Sequence, residues 1–203
     1  MAIESSTPPK RDAEWVAARV KLHKRFRVLG TVVIIFTVAL VLSGWLLFGN
    51  RIGDRRFDGK RFTVADVIDG GTLVIADGPR TRVTLLGVDA PQWPDAHYSK
   101  ESAGYLTGRL KDKVVLLKLD GTQTRNGDGR LLAYVYLTDT DLVNADVIRD
   151  GRGFSDRRLK HTYRNQFDQF ENEARSKARG MWDEMTDEKM PVWRVEWLRS
   201  RNR

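Results

Sequence analysis

The stretch from residue 61 to residue 92 constrains the fold more than any other part of this sequence. It contains three apolar runs, each about the length of one strand, at residues 62–68, 72–76 and 81–88. Asp69-Gly70-Gly71 lies between the first two runs, and Asp77-Gly78 leads to the third. Asp-Gly and Gly-Gly between β-branched runs favour hairpin turns, because those turns need residues that adopt positive φ. The stretch therefore predicts three consecutive strands joined by two tight turns.

An aspartate follows the third run directly. Asp89 precedes Ala90-Pro91, and a proline ends a strand because it has no N–H for the ladder. A carboxylate at a strand end, facing a Gly-rich turn, is a candidate catalytic group. An aspartate in this position is equally typical of a capped turn. Asp89 alone leaves both interpretations open.

The remaining pattern predicts two more strands and three helices. Strand-like runs occupy residues 113–120 and 130–137, with Asn126-Gly127 and Asp128-Gly129 at the turn between them. Ser99 is a candidate N-cap for the first helix, which extends to Leu110, and a short helix covers residues 141–149. A longer helix ends at Gly180, and its aromatic stripe is interpreted as core; the stripe consists of Tyr163, Phe167, Phe170, Ala174, Ala178 and Met181. Five strands with a helix between the third and fourth predict an α+β OB-fold barrel at residues 60–184.

A run without charged residues precedes this domain, at residues 28–50. As a helix it would extend about 34 Å, enough for a bilayer core of roughly 30 Å. The run is too long for a cleavable signal and predicts one transmembrane signal-anchor helix, with Trp45 as an interface anchor and a buried core helix as the alternative. Seven Lys/Arg precede it and five lie in residues 51–61. This bias predicts a cytoplasmic N-terminus and an extracytoplasmic domain.

The net charge of +8 lies mostly at the two ends of the chain. Residues 1–49 hold 7 Lys/Arg and 3 Asp/Glu, residues 191–203 hold four Arg and one Glu, and the part between carries only about +1. The basic composition therefore gives weak support to nucleic-acid binding by the domain itself. The absence of cysteine excludes disulfides and thiolate metal sites.

Three further segments complete the domain organisation. Residues 1–27 form a basic N-terminal segment, and residues 51–59 form a charged linker. Residues 185–203 form a basic tail in which Trp193 and Trp197 alternate with arginines. Such a tail can bind an anionic surface of lipid or nucleic acid. Docking of the tail on the domain through its tryptophans is the alternative.

Residues 60–184 resemble the staphylococcal-nuclease (thermonuclease-like) family. The family pattern reads I-D-G-D-T, then R-x-x-x-x-D-T-P-E, then D-x-x-G-R-x-L-A-Y. The corresponding segments here are Ile68-Asp69-Gly70-Gly71-Thr72, residues 84–92 (TLLGVDAPQ) and residues 126–134 (NGDGRLLAY). The resemblance implies an OB-fold nuclease domain. It also implies a calcium ion held by two aspartates and a backbone carbonyl, two arginines on the scissile phosphate, and a glutamate that orients the attacking water.

The site positions that the resemblance implies are only partly retained. Asp89 keeps one metal-binding aspartate, the carbonyl of Ala90 remains available, and Arg130 keeps one phosphate-binding arginine. Three positions differ: the other aspartate, the other arginine and the glutamate are replaced by Gly71, Thr84 and Gln92. A glutamine cannot accept the proton of an attacking water. Calcium needs several charged oxygens, so weak or absent binding is expected.

Arg82 is a possible substitute for the missing arginine. It lies two residues before Thr84, so both side chains are expected on one face of the strand, roughly 7 Å apart. A long guanidinium side chain could then reach back toward the site. Arg82 is accordingly a candidate substrate-binding residue beside Arg130.

Three hypotheses of function follow. The first is a membrane-anchored thermonuclease-like domain whose hydrolysis is weak or lost, a pseudoenzyme that binds single-stranded DNA or RNA or a protein partner. The second is an active calcium-dependent endonuclease at the cell surface. The third is an envelope interaction or scaffold module.

Overall fold

A computed structural model describes residues 31–40, 53–92, 96–121 and 123–201 of the chain. These residues divide into two compact units, one on each side of residue 50. In the first unit, residues 31–40 form a helix, α1, whose ten side chains are all exposed. The described residues include no helix that is both long and apolar enough to cross a bilayer. The predicted span at residues 28–50 lies largely outside the described residues and stays a prediction.

The second unit is built around a closed five-stranded barrel, which confirms the predicted architecture. The strand order is β1-β2-β3-β6-β5. Neighbouring strands are antiparallel except for β3 and β6, which run parallel. The barrel strands are β1 Lys60–Asp69, β2 Thr72–Ile75, β3 Arg82–Leu85, β5 Val114–Lys118 and β6 Leu131–Tyr136.

The third predicted strand is divided in two by Gly87. Gly87 has φ +77°, and a Cβ there would be 2.5 Å from Cε1 of His161, so only glycine fits this turn. After the turn the chain leaves the barrel as β4 (Val88–Asp89), which pairs antiparallel with β7 (Phe154–Ser155). Asp89 is thus paired with Phe154 in a separate ribbon. The residues that follow β7 are brought beside it as a consequence.

The predicted helices are present, and one more follows them. The domain helices are α2 Ser99–Leu110, α3 Val143–Arg149, α4 Arg164–Ser176 and α5 Val192–Arg201, with short 3-10 turns at Arg55–Phe57, Gly180–Asp183 and Asp187–Lys189. The residue before α2 is Tyr98 in a left-handed conformation, so Ser99 is the first helical residue and not the cap. Phe167 and Ala174 of α4 are fully buried, as expected for a core stripe.

The domain extends beyond residues 60–184 at both ends. Asp54 and Phe57 are buried, and Asp54 forms an ion pair with Arg125 at 2.6 Å. At the other end, Arg194 of α5 is fully buried. The described part of the predicted tail therefore packs as part of the domain.

Candidate functional site

A cavity of about 310 Å³ lies between the β1–β2 turn, the β4 ribbon and the turn before β6. Six residues that the sequence singled out line it together: Gly71, Thr84, Asp89, Ala90, Gln92 and Arg130. The barrel topology explains this convergence, because β3 lies between β2 and β6 and the register pairs Thr84 with both Thr72 and Leu132. The structure thus places these positions around one space.

The β1–β2 turn lines the cavity through Asp69 and Gly71. Neither Gly70 nor Gly71 has positive φ. A Cβ at Gly70 would collide with the side chain of Ser102, whereas a Cβ at Gly71 would meet the Ala90 Cβ at 3.2 Å. The Gly71 N–H donates to the Asp69 carboxylate at 2.8 Å. Position 71 therefore contributes no side chain to the site and has limited room for one.

Arg130 is a cationic side chain that lines the cavity immediately before β6. The Asn126 carboxamide oxygen accepts the N–H groups of Asp128 and Arg130 at 3.1 and 3.0 Å, which shapes the turn before β6. The guanidinium donates to the Thr72 hydroxyl at 3.4 Å and lies 3.8 Å from the Asp128 carboxylate. It is 30% exposed. Long contacts and partial exposure leave this guanidinium able to bind an anion.

The two other replaced positions bring no charge into the cavity. The Thr84 hydroxyl is buried and has no hydrogen-bond partner among the described residues. Gln92 is exposed at the cavity mouth. Arg82 is also exposed, and it lies outside the described residues that line the cavity. The structure does not bring the proposed substitute arginine to the site.

Asp89 is fully engaged by groups of this chain. Its Oδ1 accepts a hydrogen bond from Nη2 of Arg158 at 3.0 Å, and its Oδ2 accepts one from Nε1 of Trp193 at 2.8 Å. The side chain is 15% exposed. Burial raises the pKa of Asp89, and the Arg158 charge and the Trp193 hydrogen bond oppose that shift only in part.

Arg158 bridges two carboxylates at the cavity. Its Nε and Nη2 donate to the two oxygens of Asp156 at 2.9 and 3.0 Å, and Nη2 also reaches Asp89. The guanidinium carbon lies 4.7 Å from the centre of the Trp193 ring. The hydrogen bond to Asp156 is the main cause that raises the pKa of Arg158. Arg158 therefore remains a cation at any ordinary pH.

Asp156, Arg158 and Trp193 are site residues that the sequence reasoning missed. Asp156 and Arg158 follow a strand of only two residues, too short for any periodic pattern. One signal was present in the sequence. It has two consecutive arginines, Arg157 and Arg158, and two tryptophans four residues apart, Trp193 and Trp197. The guanidinium of Arg157 lies 3.9 Å from the Trp197 ring centre. Consecutive arginines thus contact both tryptophans of α5.

A buried ion pair fixes α5 in this position. Arg194 and Glu171 are both 0% exposed and are joined through Nη2 and Oε1. The Phe154 and Trp182 rings lie 5.0 and 5.4 Å from the Arg194 guanidinium carbon. Because Trp193 precedes Arg194, this anchor presents the indole to Asp89. Of the two alternatives for the tail, the structure shows docking on the domain for these residues.

The donors present do not fit the calcium ion that the resemblance implies. Calcium takes six to eight oxygens, usually with several carboxylates among them. Within the described part of the chain, no three Asp, Glu or His side chains form a group that could hold a metal ion. Both oxygens of Asp89 already accept hydrogen bonds from Arg158 and Trp193. The described side chains at this cavity therefore do not form a calcium site of the kind that the resemblance implies.

The charged side chains around the cavity determine which ligands it can bind. The described charged residues around the cavity are four aspartates and two arginines: Asp69, Asp89, Asp128, Asp156, Arg130 and Arg158. Arg158 is largely neutralised by its two carboxylates, whereas Arg130 has only a distant one. Arg130 is consequently the group that can bind a phosphate oxygen most strongly.

The family comparison covers half of the chain. The model described as "Staphylococcal nuclease homologue" matches residues 82–184. That region contains β3 to β7, α2 to α4 and the first of the 3-10 turns after α4. It does not include α5.

Three curated proteins show the same relationship. A thermonuclease of Staphylococcus intermedius is 31% identical over 171 residues, which cover 75% of this chain and 96% of that protein. Two proteins named as uncharacterized endonucleases, from Escherichia coli and from Escherichia coli O157:H7, are each 27% identical over 134 residues. Those matches cover 64% of this chain and 82% of each relative.

Proposed function

The chain belongs to the staphylococcal nuclease homologue family, and on that premise we propose that its domain binds the phosphodiester backbone of single-stranded nucleic acid with calcium-dependent hydrolysis weak or lost. Nuclease-family domains of this kind generally bind nucleic acid and depend on calcium. We propose that this chain retains nucleic-acid binding and that its calcium-dependent hydrolysis is weak or lost. Arg130 would contact the phosphate.

One observation carries this proposal: both oxygens of Asp89 accept hydrogen bonds from the chain itself. The carboxylate that the family pattern assigns to the metal is thereby paired with a cation and an N–H donor of the chain itself. The positions expected to hold the second aspartate and the glutamate contain Gly71 and Gln92. Loss of one preorganised charge-stabilising donor lowers a rate by about 10²–10³, and Thr84 replaces a whole guanidinium here.

Binding is tested with the full chain in detergent micelles, by fluorescence anisotropy of a labelled single-stranded oligonucleotide in EDTA. We expect measurable affinity that falls as salt rises, because phosphate contacts release counterions. Arg130→Ala should weaken binding about tenfold, the usual effect of losing a charge-assisted hydrogen bond. Calcium should produce no cleavage of the oligonucleotide above a buffer control.

Arg82→Ala is the matched control, since Arg82 is an arginine near the site that does not line the cavity. It should leave the affinity unchanged within a factor of two. Equal losses for the two variants would place the binding surface outside the cavity. An unaltered affinity in Arg130→Ala, or no affinity in the parent chain, would contradict the proposal.

The alternative is an active calcium-dependent endonuclease. Two observations favour it: the relatives carry the names thermonuclease and endonuclease, and four aspartates surround the cavity. In an active enzyme a calcium ion would compete with Arg158 and Trp193 for Asp89. Calcium-dependent cleavage by the unmodified chain, absent in Asp89→Asn, would establish this alternative in place of the first. A scaffold role would be indicated by a folded chain that neither binds nor cleaves nucleic acid and captures a protein partner.

The cellular location is part of the same proposal. We infer that residues 28–50 anchor the chain in a membrane as a single span, with the N-terminus cytoplasmic and the domain extracytoplasmic. The uncharged run and the ten exposed, largely apolar residues of helix 31–40 support this inference. The excess of Lys/Arg before the run supports the orientation.

A further inference from the structure

We propose that the Arg158 guanidinium, held in place by Trp193 of α5, is the resident cation of this cavity and replaces a divalent metal ion there. Asp89 and Asp156 are then positioning carboxylates for Arg158. This inference concerns the cation at the site and goes beyond the proposed nucleic-acid binding, which does not depend on it.

The geometry around Asp89 carries the first step. A carboxylate ligates a metal through its oxygen lone pairs, and here each oxygen accepts a hydrogen bond at 3.0 Å or less. A metal ion at Asp89 would lie beside the positive charge of Arg158 and would compete with both donors for the carboxylate. The Arg158 charge and the Trp193 N–H thus stabilise a buried anion that would otherwise require a bound cation.

The second step is the pairing of Arg158 with two acids. Asp89 and Asp156 both line the cavity, and both contact the same guanidinium. Removal of that guanidinium would leave two partly buried carboxylates facing each other without a counter-charge. Two such carboxylates attract a divalent cation, and the Ala90 carbonyl at the same cavity could supply a further oxygen.

The third step concerns the part of the chain that supplies Trp193, the second hydrogen-bond donor to Asp89. Trp193 lies in α5, and the family match ends at residue 184. The buried Arg194–Glu171 pair anchors α5, and Arg157 stacks on Trp197 one turn further along. The helix that fixes Trp193 against Asp89 and Arg158 therefore lies outside the segment that the family model matches. Its docking is what holds the Trp193 N–H at Asp89.

The test is calcium binding by the full chain in detergent micelles, read as the change in Tm between calcium and EDTA. The parent chain should show no change. The double variant Arg158→Gln/Trp193→Phe removes the charge and the N–H but retains side chains of similar size. With a dissociation constant on the order of 1 mM, about 10 mM calcium should raise its Tm by roughly 3 °C.

Two variants control for charge and for general destabilisation. Arg158→Lys retains a cation and should stay insensitive to calcium. Arg149→Gln is the matched control, because Arg149 is also a half-exposed arginine that pairs with an aspartate, Asp146, and stacks on an aromatic ring, Phe170. It should not acquire a calcium response.

Three outcomes would overturn the inference. The first is calcium stabilisation of the parent chain as large as that of the double variant. The second is a folded double variant, or a folded Arg158→Gln single variant, that does not respond to calcium. The third is a calcium response in Arg158→Lys. The oligonucleotide assay in EDTA is independent of all three, so a failure of nucleic-acid binding would leave this inference standing.

Discussion

At the scale of single residues, His161 shows how tightly the turn at Gly87 is packed. The His161 Nδ1 lies 3.1 Å from the Tyr134 hydroxyl, which itself donates to Asp120 at 2.6 Å. Because that hydroxyl proton is directed to Asp120, Nδ1 of His161 must carry a proton and donate it. The other ring nitrogen is buried, lies close to Gly87, and has no partner among the described residues. The fold therefore favours the neutral imidazole.

This environment predicts a loss of stability in mild acid. Burial is the main cause that lowers the pKa of His161 from its ordinary value of 6.5. As the pH falls, His161 in the unfolded chain takes up a proton before His161 in the folded chain. The contribution of neutral His161 to stability is therefore complete above pH 6.5 and is lost as the pH falls through the pKa of the folded state. We expect the contribution of His161 to lower the Tm as the pH falls from 7.5 to 5.5.

His161→Gln isolates the contribution of this one group. The variant cannot titrate in this range, so its Tm should depend less on pH than the Tm of the parent chain. Calorimetry of both proteins across the range measures the difference. Identical pH profiles would mean that His161 is protonated without cost, contrary to its burial.

At the scale of elements, α5 owes its position to one buried charge pair. Arg194 and Glu171 are fully buried, and Glu171 also accepts the Ser155 N–H of β7 at 2.8 Å. The pair thus connects α5 and α4 to the ribbon that carries Asp89. Hydrophobic contact alone would not fix the helix in this register, because Trp193 and Trp197 both remain partly exposed.

Arg194→Met should destabilise the domain substantially. Removal of one partner leaves Glu171 buried without its main counter-charge, and Arg157 at 3.5 Å compensates only in part. We expect a loss of about 3 kcal/mol in the free energy of unfolding, or roughly 10 °C in Tm. Denaturant unfolding of both proteins gives the measurement.

Arg199→Met on the exposed face of the same helix is the control and should change stability by less than about 0.5 kcal/mol. The double variant Arg194→Met/Glu171→Gln should regain part of the loss, because no buried charge remains unpaired. Equal stability of Arg194→Met and Arg199→Met would show that the pair contributes nothing to α5.

The elements differ in how far the sequence could predict them. Hydrophobic periodicity and turn chemistry identified the five barrel strands, and the bounds of α2 coincide with those expected. Periodicity could not detect β4 and β7, because each has two residues and exists only through pairing with the other. The expectation of a single strand over residues 81–88 was wrong, because Gly87 turns the chain out of the barrel before β4.

The candidate site shows the same division. The strand order of the barrel brings Gly71, Thr84 and Arg130 together, and the pairing of β4 with β7 places Asp89 at the same cavity. The partners of Asp89 could not be found in this way. Arg158 and Trp193 lie 69 and 104 residues away from it along the chain. The contact of Arg158 follows from the pairing of β4 with β7. The contact of Trp193 depends on the docking of α5, which is decided by a buried ion pair and not by a local pattern.

At the scale of the whole molecule, most of the exposed large apolar side chains of the described residues lie in helix 31–40. The helical residues 31–40 include seven large apolar side chains that are at least half exposed: Val32, Val33, Ile34, Ile35, Phe36, Val38 and Leu40. Contiguous exposure of this kind is unusual in soluble proteins and indicates an interaction with lipid or protein. Seven Lys/Arg precede the apolar run, which suits the cytoplasmic face of a membrane.

The last prediction tests this anchor in the full chain. The parent chain should sediment with membranes and resist extraction by alkaline carbonate. Ile35→Lys/Val38→Lys places two charges in the apolar run, each at a cost of about 2.5–3.5 kcal/mol near the centre of a membrane helix, and should shift the protein to the soluble fraction. Ser5→Lys/Ser6→Lys adds the same charge outside the run and should leave the protein in the membrane. A soluble parent chain would exclude the anchor. Resistance of the Ile35→Lys/Val38→Lys variant to carbonate extraction would mean that residues 28–50 do not hold the chain in the membrane.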